Sequence, residues 1–252
     1  MVHFVGAGSG APDLITLRGM RLTESADVII YAGSLVNPEL LNYARKGCEV
    51  HNSALMTLDE IISVMENAER KGLNTVRLHT GDPSIYGAIR EQTDRLDKLG
   101  IEYDICPGVS SFCGAAAALR AEYTLPGVSQ SVIITRMAGR TPVPENESIE
   151  SFAAHGATMV IFLSAGMTEE LSERLISGGY SPDTPAAIVY KATWEDEKIV
   201  RCTVGTLGQT AKENSISKTA LITVGNFLGN DHSLSKLYDA DFSTGFRKAD
   251  KS

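Results

Sequence analysis

The sequence predicts an α/β protein made of two α/β domains, with parallel or mixed sheets and a cleft between the domains. Short apolar runs of strand length alternate with segments whose apolar residues recur at helical spacing. Glycine-rich turns follow several of these runs. The alternation pauses near residue 120 and then starts again, which predicts a second domain.

The composition is that of an ordinary globular chain and excludes several classes of partner. The 252 residues are 43% hydrophobic and 21% charged, with a formal net charge of -8. Nucleic-acid binding requires a basic surface, so this balance argues against it. The apolar runs are all shorter than the ~18 residues of a membrane span, and the chain opens directly on a strand. We therefore expect a cytoplasmic protein without a membrane partner.

The cysteines and histidines do not follow a metal-binding pattern. The chain has 4 Cys and 5 His, all scattered, without C-x-x-C, H-x-H or H-E-x-x-H spacing. Buried, reduced thiols explain the cysteines better than a metal site does. The sequence therefore predicts no metal bound by the protein.

Secondary structure is predicted from apolar spacing, caps and glycines. In the first half, residues 57–71 carry acidic residues in the first turn and Arg70-Lys71-Gly72 at the end, which favours a helix. The predicted strands are 2–5, 28–31, 75–79, 101–105, 131–135, 158–163, 185–191, 198–204 and 219–224. The predicted helices are one beginning near Pro12, then 57–71, 86–99, 111–121, 146–155, 168–178 and 206–214. The predicted domains are 1–120 and 121–230, followed by a polar tail, 231–252.

The first turn suggests a small-molecule site, and a dinucleotide is one candidate ligand. Gly6, Gly8 and Ala11 fit G-x-G-x-x-G/A after the first strand, but this short match has low specificity. The second strand, Val28–Tyr31, lacks the carboxylate at its end that would bind a ribose, and Asp27 precedes it. A phosphate loop of the G-x-x-x-x-G-K-[ST] type is also missing. A nucleotide-dependent oxidoreductase therefore remains only an alternative.

Two further loops narrow the choice. Residues 79–87 (HTGDPSIYG) and 107–111 (PGVSS) each follow a strand and precede a helical segment. Taken singly, Asp82 and Ser110 could be ordinary helix caps. With the first loop, however, their order and spacing resemble the S-adenosylmethionine-dependent tetrapyrrole (precorrin) methyltransferases over nearly the whole chain.

Longer strings resemble one branch of that family, the enzymes that methylate carbon 11 of precorrin-4. These strings are 135–145 (TRMAGRTPVPE), 190–194 (YKATW), 235–238 (SKLY) and 245–248 (GFRK). The first loop departs from the family's usual GPGD, because Ser9 replaces the proline and Ala11 the acid. Serine makes the loop less rigid, and alanine removes a possible cap.

The resemblance implies a methyl transfer from S-adenosyl-L-methionine to carbon 11 of precorrin-4, or of its cobalt form, in cobalamin biosynthesis. The alternatives within the family are methylation at carbon 20 or 17, or the diphthine branch of the fold. A binding protein without catalytic activity is a further alternative, supported only by Ser9 and Ala11. The resemblance also implies the tetrapyrrole methylase fold and a homodimer. The residues that it assigns to the methyl donor are Ser9, Thr80, Gly81, Asp82, Ile85, Ser110, Ser111, Leu163 and Ala192. For Leu163 and Ala192, packing in the core is the competing interpretation.

The tetrapyrrole substrate carries many carboxylates, which arginine binds well in bidentate geometry. Arg136, Arg140 and Lys191 lie at or just after predicted strands, and we expect them to bind the macrocycle. An ordinary solvated charge is the competing interpretation for each. Direct transfer between aligned reactants requires no covalent intermediate, and the sequence does not identify a catalytic base.

Overall fold

The computed structural model describes residues 1–249 and contains two compact units. The first is Met1–Ala118 with Tyr190–Lys198, and the second is Leu119–Val189 with the described residues from Ile199 onward. The division after residue 118 lies two residues from the predicted boundary at 120. Tyr190–Lys198 belongs to the first unit, whereas the sequence assigned it to the second domain. Residues 250–252 of the predicted tail lie outside the described residues.

The first unit is built on a parallel sheet with helices on both faces. Its strands are β1 (Val2–Gly6), β2 (Val28–Tyr31), β3 (Glu49–Asn52), β4 (Thr75–His79) and β5 (Tyr103–Cys106). Its helices are α1 (Leu17–Ser25), α2 (Leu58–Arg70), α3 (Arg90–Leu99) and α4, which starts in this unit (Ser111–Leu119). The strand order is β3-β2-β4-β1-β5, and each pairing is parallel. The chain leaves β1 and β4 toward opposite edges, so their carboxyl ends form a topological switch point, where such sheets bind ligands.

Apolar side chains of β1, β2 and β4 form a separate core on each face of this sheet. Phe4 and Ile30 pack against Ile62 and Met65 of α2 on one face. On the other face, Val5, Ile29 and Leu78 pack with the α1 side and a 3-10 turn at Pro38–Tyr43. Since both faces are covered, β1 and β2 are mostly apolar, whereas β4 alternates Val76 and Leu78 with buried Thr75, Arg77 and His79.

The second unit contains a mixed sheet. Its strands are β6 (Val132–Arg136), β7 (Thr158–Phe162), β8 (Pro185–Tyr190), β9 (Lys198–Thr203) and β10 (Ala220–Val224). Its helices are α5 (Ile149–Ala153), α6 (Thr168–Ser177) and α7 (Leu207–Glu213). The order is β6-β7-β10-β8-β9, with β6 parallel and β10 antiparallel to β7. The predicted fold class, α/β with a parallel and a mixed sheet in two separate units, is confirmed.

Local differences from the prediction have physical causes. Strand β3 was missed because it is mostly exposed or half-buried and reads as polar sequence. The helix predicted over 86–99 begins only at Arg90, since Tyr86 and Ala88 have φ of 55° and 49°, which a right-handed helix does not allow. The helix predicted near Pro12 starts as a 3-10 turn at Pro12–Leu14 and continues as α1.

Candidate functional site

The three predicted glycine loops lie side by side at one edge of the first sheet. They follow β1, β4 and β5, and β1 lies between the other two strands. The first two loops are joined by a pair of backbone hydrogen bonds. The Gly8 N–H donates to the Gly81 carbonyl at 3.3 Å, and the Gly81 N–H donates to the Gly8 carbonyl at 3.0 Å. The sequence motifs therefore form one structural cluster.

Glycine at these positions allows the loops to approach one another. A Cβ on Gly6 would lie 2.5 Å from Cα of Gly108 and 2.6 Å from the Gly81 oxygen. A Cβ on Gly108 would lie 2.7 Å from Cα of Gly6 and would overlap the Gly81 carbonyl. Gly6 and Gly108 therefore serve backbone-to-backbone packing between the loops.

Asp82 connects the second loop to the third. Its Oδ2 accepts a hydrogen bond from the Gly108 N–H at 2.8 Å. Its Oδ1 accepts from the N–H of Ser84 at 2.8 Å and from the Ser84 hydroxyl. Burial raises the pKa of this carboxyl, but the hydrogen bonds from Ser84 and Gly108 outweigh it, and the pKa is lowered overall. Asp82 therefore has a structural role at the loops, whatever ligand contact it also makes.

We expect Asp82→Asn to lower the unfolding free energy of the first unit by about 1–3 kcal/mol. An amide has only one oxygen, so its NH2 group would face either the Gly108 or the Ser84 N–H and leave that donor without an acceptor. Urea unfolding followed by the fluorescence of Trp194, the only Trp in the chain, measures the stability.

Asp239→Asn is the matched control for this change. Asp239 is exposed and accepts one backbone hydrogen bond, from Asp241, at 3.0 Å. A change there is expected to stay within about 0.5 kcal/mol. Equal losses in the two variants would contradict the bridging role of Asp82.

The other residues of the first unit that the family resemblance assigns to the methyl donor lie in or next to these loops. The Ile85 N–H donates to the Asp82 carbonyl at 3.2 Å. The Ser110 carbonyl accepts from the Cys113 N–H at 3.0 Å, at the start of α4, whose first residue is Ser111. Oγ1 of Thr80 is buried and has no hydrogen-bond partner among residues 1–249. Such an orphaned hydroxyl beside Gly81 fits a site that a polar ligand completes.

Lys191 and Ala192 lie in the connection between β8 and β9, which belongs to the first unit. The Lys191 ammonium lies 2.6 Å from Asp196 and 5.1 Å from the ring centre of Trp194. The hydrogen bond that Lys191 donates to the Asp196 carboxylate raises the pKa of Lys191. Its charge thus has a partner within the segment, and its contact with the substrate stays a prediction. Ala192 is buried, with its carbonyl beside Gly10.

The other predicted residues lie in the second unit. Leu163 follows β7 with a φ of 53° and is 63% exposed, so it does not belong to the core. An exposed leucine in a left-handed conformation is a candidate ligand contact. The buried Ser164 hydroxyl accepts from the Met137 N–H at 3.0 Å and donates to the Phe162 carbonyl at 2.7 Å, which joins this loop to the one after β6.

Arg136 and Arg140 belong to that loop after β6 but differ in their contacts. The Arg136 guanidinium donates to the carbonyls of Met137, Thr141 and Pro142 at 2.8–3.2 Å. It therefore closes the turn. Arg140 is exposed at the tip, where a bound carboxylate could reach it. Arg136 thus holds the turn that carries Arg140, and the macrocycle contact of both residues stays a prediction.

Several residues near these loops were not predicted. Thr193 contacts the first loop through its hydroxyl, and His79 and Arg77 are buried in β4. Thr193 was quoted only within a family string, because nothing local reveals that 190–198 joins the first unit. His79 and Arg77 could have been noticed as two ionisable residues inside a short predicted strand, 75–79.

A metal centre and a membrane-spanning helix have no candidate among residues 1–249. Within residues 1–249 no group of three or more His, Cys, Asp or Glu side chains could hold a metal ion. The same range contains no helix with the length and apolar character needed to cross a bilayer. A hollow of ≈ 580 Å³ in the second unit, between the start of α6 and the end of α7, is lined by none of the predicted site residues.

Comparison with known proteins assigns the family. The model of the tetrapyrrole (corrin/porphyrin) methylases matches residues 1–208. The chain belongs to this family. The methylase is 54% identical to the cobalt-precorrin-4 C(11)-methyltransferase of Methanocaldococcus jannaschii over 251 residues, 99% of this chain and 97% of the relative.

Solved structures agree with this assignment. The methylase matches the X-ray structure of a cobalamin biosynthetic enzyme, cobalt precorrin-4 methyltransferase, with a TM-score of 0.89 and 46% identity, covering 91% of this chain and 96% of that chain. Uroporphyrin-III C-methyltransferase from Thermus thermophilus, solved with S-adenyl homocysteine, matches with a TM-score of 0.75 and 25% identity, covering 90% and 93%.

Proposed function

We propose that this methylase transfers a methyl group from S-adenosyl-L-methionine to carbon 11 of precorrin-4, or of cobalt-precorrin-4, in cobalamin biosynthesis. The observation that carries the proposal is the 54% identity, over 99% of the chain, to a cobalt-precorrin-4 C(11)-methyltransferase. Any cobalt belongs to the substrate. The family resemblance further suggests a cytoplasmic homodimer, which light scattering of the purified protein tests for its oligomeric state.

The donor supplies an electrophilic methyl group on a sulfonium, and the protein has to bind and align it. We assign donor binding to Ser9, the Thr80–Asp82 loop, Ile85, Ser110, Ser111 and Ala192, with Leu163 as an apolar contact. The support is the convergence of the loops at the switch point and the unpartnered hydroxyl of Thr80. Holding two reactants about 3–3.5 Å apart can supply roughly 7–11 kcal/mol of the barrier, so orientation is the main catalytic contribution that we propose.

The reaction is tested by incubation with donor labelled at the methyl carbon, using precorrin-4 and cobalt-precorrin-4 in parallel. Carbon-13 NMR then locates the new methyl group. We expect it at carbon 11. A methyl at carbon 17 or 20 would assign the chain to another branch, and no transfer to either substrate would refute the proposal. A fluorescence titration with NADH tests the oxidoreductase alternative.

Arg140→Ala is expected to raise the KM for the tetrapyrrole roughly 5- to 20-fold, the effect of losing a hydrogen-bonded charge contact. The Kd of S-adenosylhomocysteine is expected to stay unchanged, because Arg140 is assigned to the macrocycle. Steady-state kinetics and calorimetry measure the two quantities. Arg70→Ala, which removes an exposed arginine paired with Glu66 on α2, is the control. If Arg140→Ala behaves like Arg70→Ala, Arg140 is only a solvated charge.

A further inference from the structure

Thr193 holds the first glycine loop by a single oxygen atom. Its Oγ1 lies 3.1 Å from the Ser9 hydroxyl and accepts a hydrogen bond from the Ala11 N–H at 3.1 Å. These two contacts lie on either side of Gly10. One hydroxyl group therefore closes the loop across its most flexible residue.

The packing around this hydroxyl leaves little room for another arrangement. A Cβ on Gly10 would overlap the indole of Trp194 and lie 2.7 Å from the Ala192 oxygen. A Cβ on Gly114 of α4 would lie 2.7 Å from Cβ of Ser9 and 3.3 Å from Cγ2 of Thr193. The first glycine loop, α4 and residues 190–198 thus pack so closely that Gly10 and Gly114 have no room for a Cβ.

Thr193 is itself held in an unusual conformation. Its φ is 69°, and that of Lys191, two residues earlier, is 46°. Left-handed conformations at non-glycine residues persist only where the surroundings impose them, and they cluster at functional sites. Here the Thr193 N–H donates to the Glu197 carboxylate at 2.6 Å, and the Trp194 N–H donates to the Lys191 carbonyl at 3.0 Å. The segment is built to present the Thr193 hydroxyl to the loop.

We propose that Thr193 is a positioning residue that fixes the Ser9–Ala11 loop in its donor-binding conformation and so sets the affinity for the methyl donor. The inference rests on the proposed function, in which Ser9 contacts the donor. Thr193 acts through Ser9 and Ala11 and touches neither reactant. Its loss is therefore expected to change donor affinity more than kcat or the KM of the tetrapyrrole.

The test compares Thr193→Val, which keeps the shape and removes the hydroxyl, with Thr193→Ser, which keeps the hydroxyl. We expect the valine variant to bind S-adenosylhomocysteine roughly 3- to 10-fold more weakly by calorimetry, the effect of one or two lost hydrogen bonds. The serine variant is expected to stay within about twofold of the wild type. Amide hydrogen exchange at Ala11, measured without ligand, is expected to accelerate only in the valine variant.

Glu197→Ala provides a second variant outside the loop. It removes the acceptor of the Thr193 N–H but keeps the Thr193 hydroxyl. We expect it to weaken binding of the methyl donor, as Thr193→Val does. Thr124→Val is the control, since the Thr124 hydroxyl makes an exposed contact with Glu122 at 3.3 Å. It is expected to leave the Kd unchanged.

The outcomes separate this inference from the proposed function. If the wild type binds S-adenosylhomocysteine but the valine variant binds it equally well, the positioning role is refuted and the proposed function stands. Equal weakening in the valine and serine variants also refutes it, because the hydroxyl would then not matter. If the wild type does not bind the compound at all, the proposed function and this inference both fail.

Discussion

Gly108→Ala is expected to abolish measurable donor binding and to lower the unfolding free energy of the first unit by about 3 kcal/mol or more. The new methyl group would overlap the Gly81 carbonyl and lie 2.7 Å from Cα of Gly6. Both neighbours are backbone atoms, so no side-chain rotation relieves the clash, and overpacking costs typically 1–3 kcal/mol even where side chains can move. Gly108 does not have a positive φ, so the effect is steric and not conformational.

Calorimetry with S-adenosylhomocysteine and urea unfolding followed by Trp194 fluorescence measure the two effects. Gly245→Ala is the matched control, because a Cβ there meets no atom within 4 Å and the backbone is not left-handed. Gly6→Ala should reproduce the loss, since a Cβ on Gly6 would lie 2.5 Å from Cα of Gly108. A Gly108→Ala protein with wild-type affinity would show that donor binding does not depend on the convergence of these loops.

The position of the loops could be predicted because their signals are local. Glycine and proline at the ends of apolar runs mark turns after strands, and the carboxyl ends of parallel strands meet at one edge. What the glycines contact could not be predicted in this way. Close approach to a ligand and close approach to another loop select the same residue, and only the folded structure shows that Gly6 faces Gly108.

The contacts of residues 190–198 could not be predicted from the sequence, for a different reason. Chain order places these residues among the strands of the second sheet, whereas their contacts belong to the first unit. The left-handed conformations of Lys191 and Thr193 are imposed by tertiary contacts. Neither residue is a glycine, so the sequence does not indicate a positive φ there. Long-range packing of this kind leaves no trace in residue spacing.

The wild-type protein is expected to lose about 2 kcal/mol of stability between pH 7 and pH 5 through His79 alone. His79 is 4% exposed, and its Nε2 has no hydrogen-bond partner within residues 1–249. Burial, and then the positive charge of Arg77, lower its pKa from 6.5 to about 3. Arg77 is buried too, and donates to Gln92 at 3.1 Å and to the Ile30 and Leu78 carbonyls at 3.3 Å.

The sign follows from where the proton binds. Between about pH 6.5 and 3 the unfolded chain takes up a proton that the folded chain excludes at His79. Acid therefore favours unfolding by up to about 1.4 kcal/mol per pH unit from this group, in addition to the carboxylates. The contribution is absent above pH 7, where both states hold a neutral imidazole.

His79→Gln removes this titration and is expected to flatten the loss between pH 7 and pH 5 by about 2 kcal/mol, whatever the variant's stability at pH 7. Urea unfolding at several pH values, followed by Trp194 fluorescence, reports on the unit that contains both residues. His155→Gln is the control, since His155 is exposed in the second unit. If the wild type and His79→Gln lose stability in parallel, the buried imidazole accepts its proton in the folded state, and β4 has to open to water at that end.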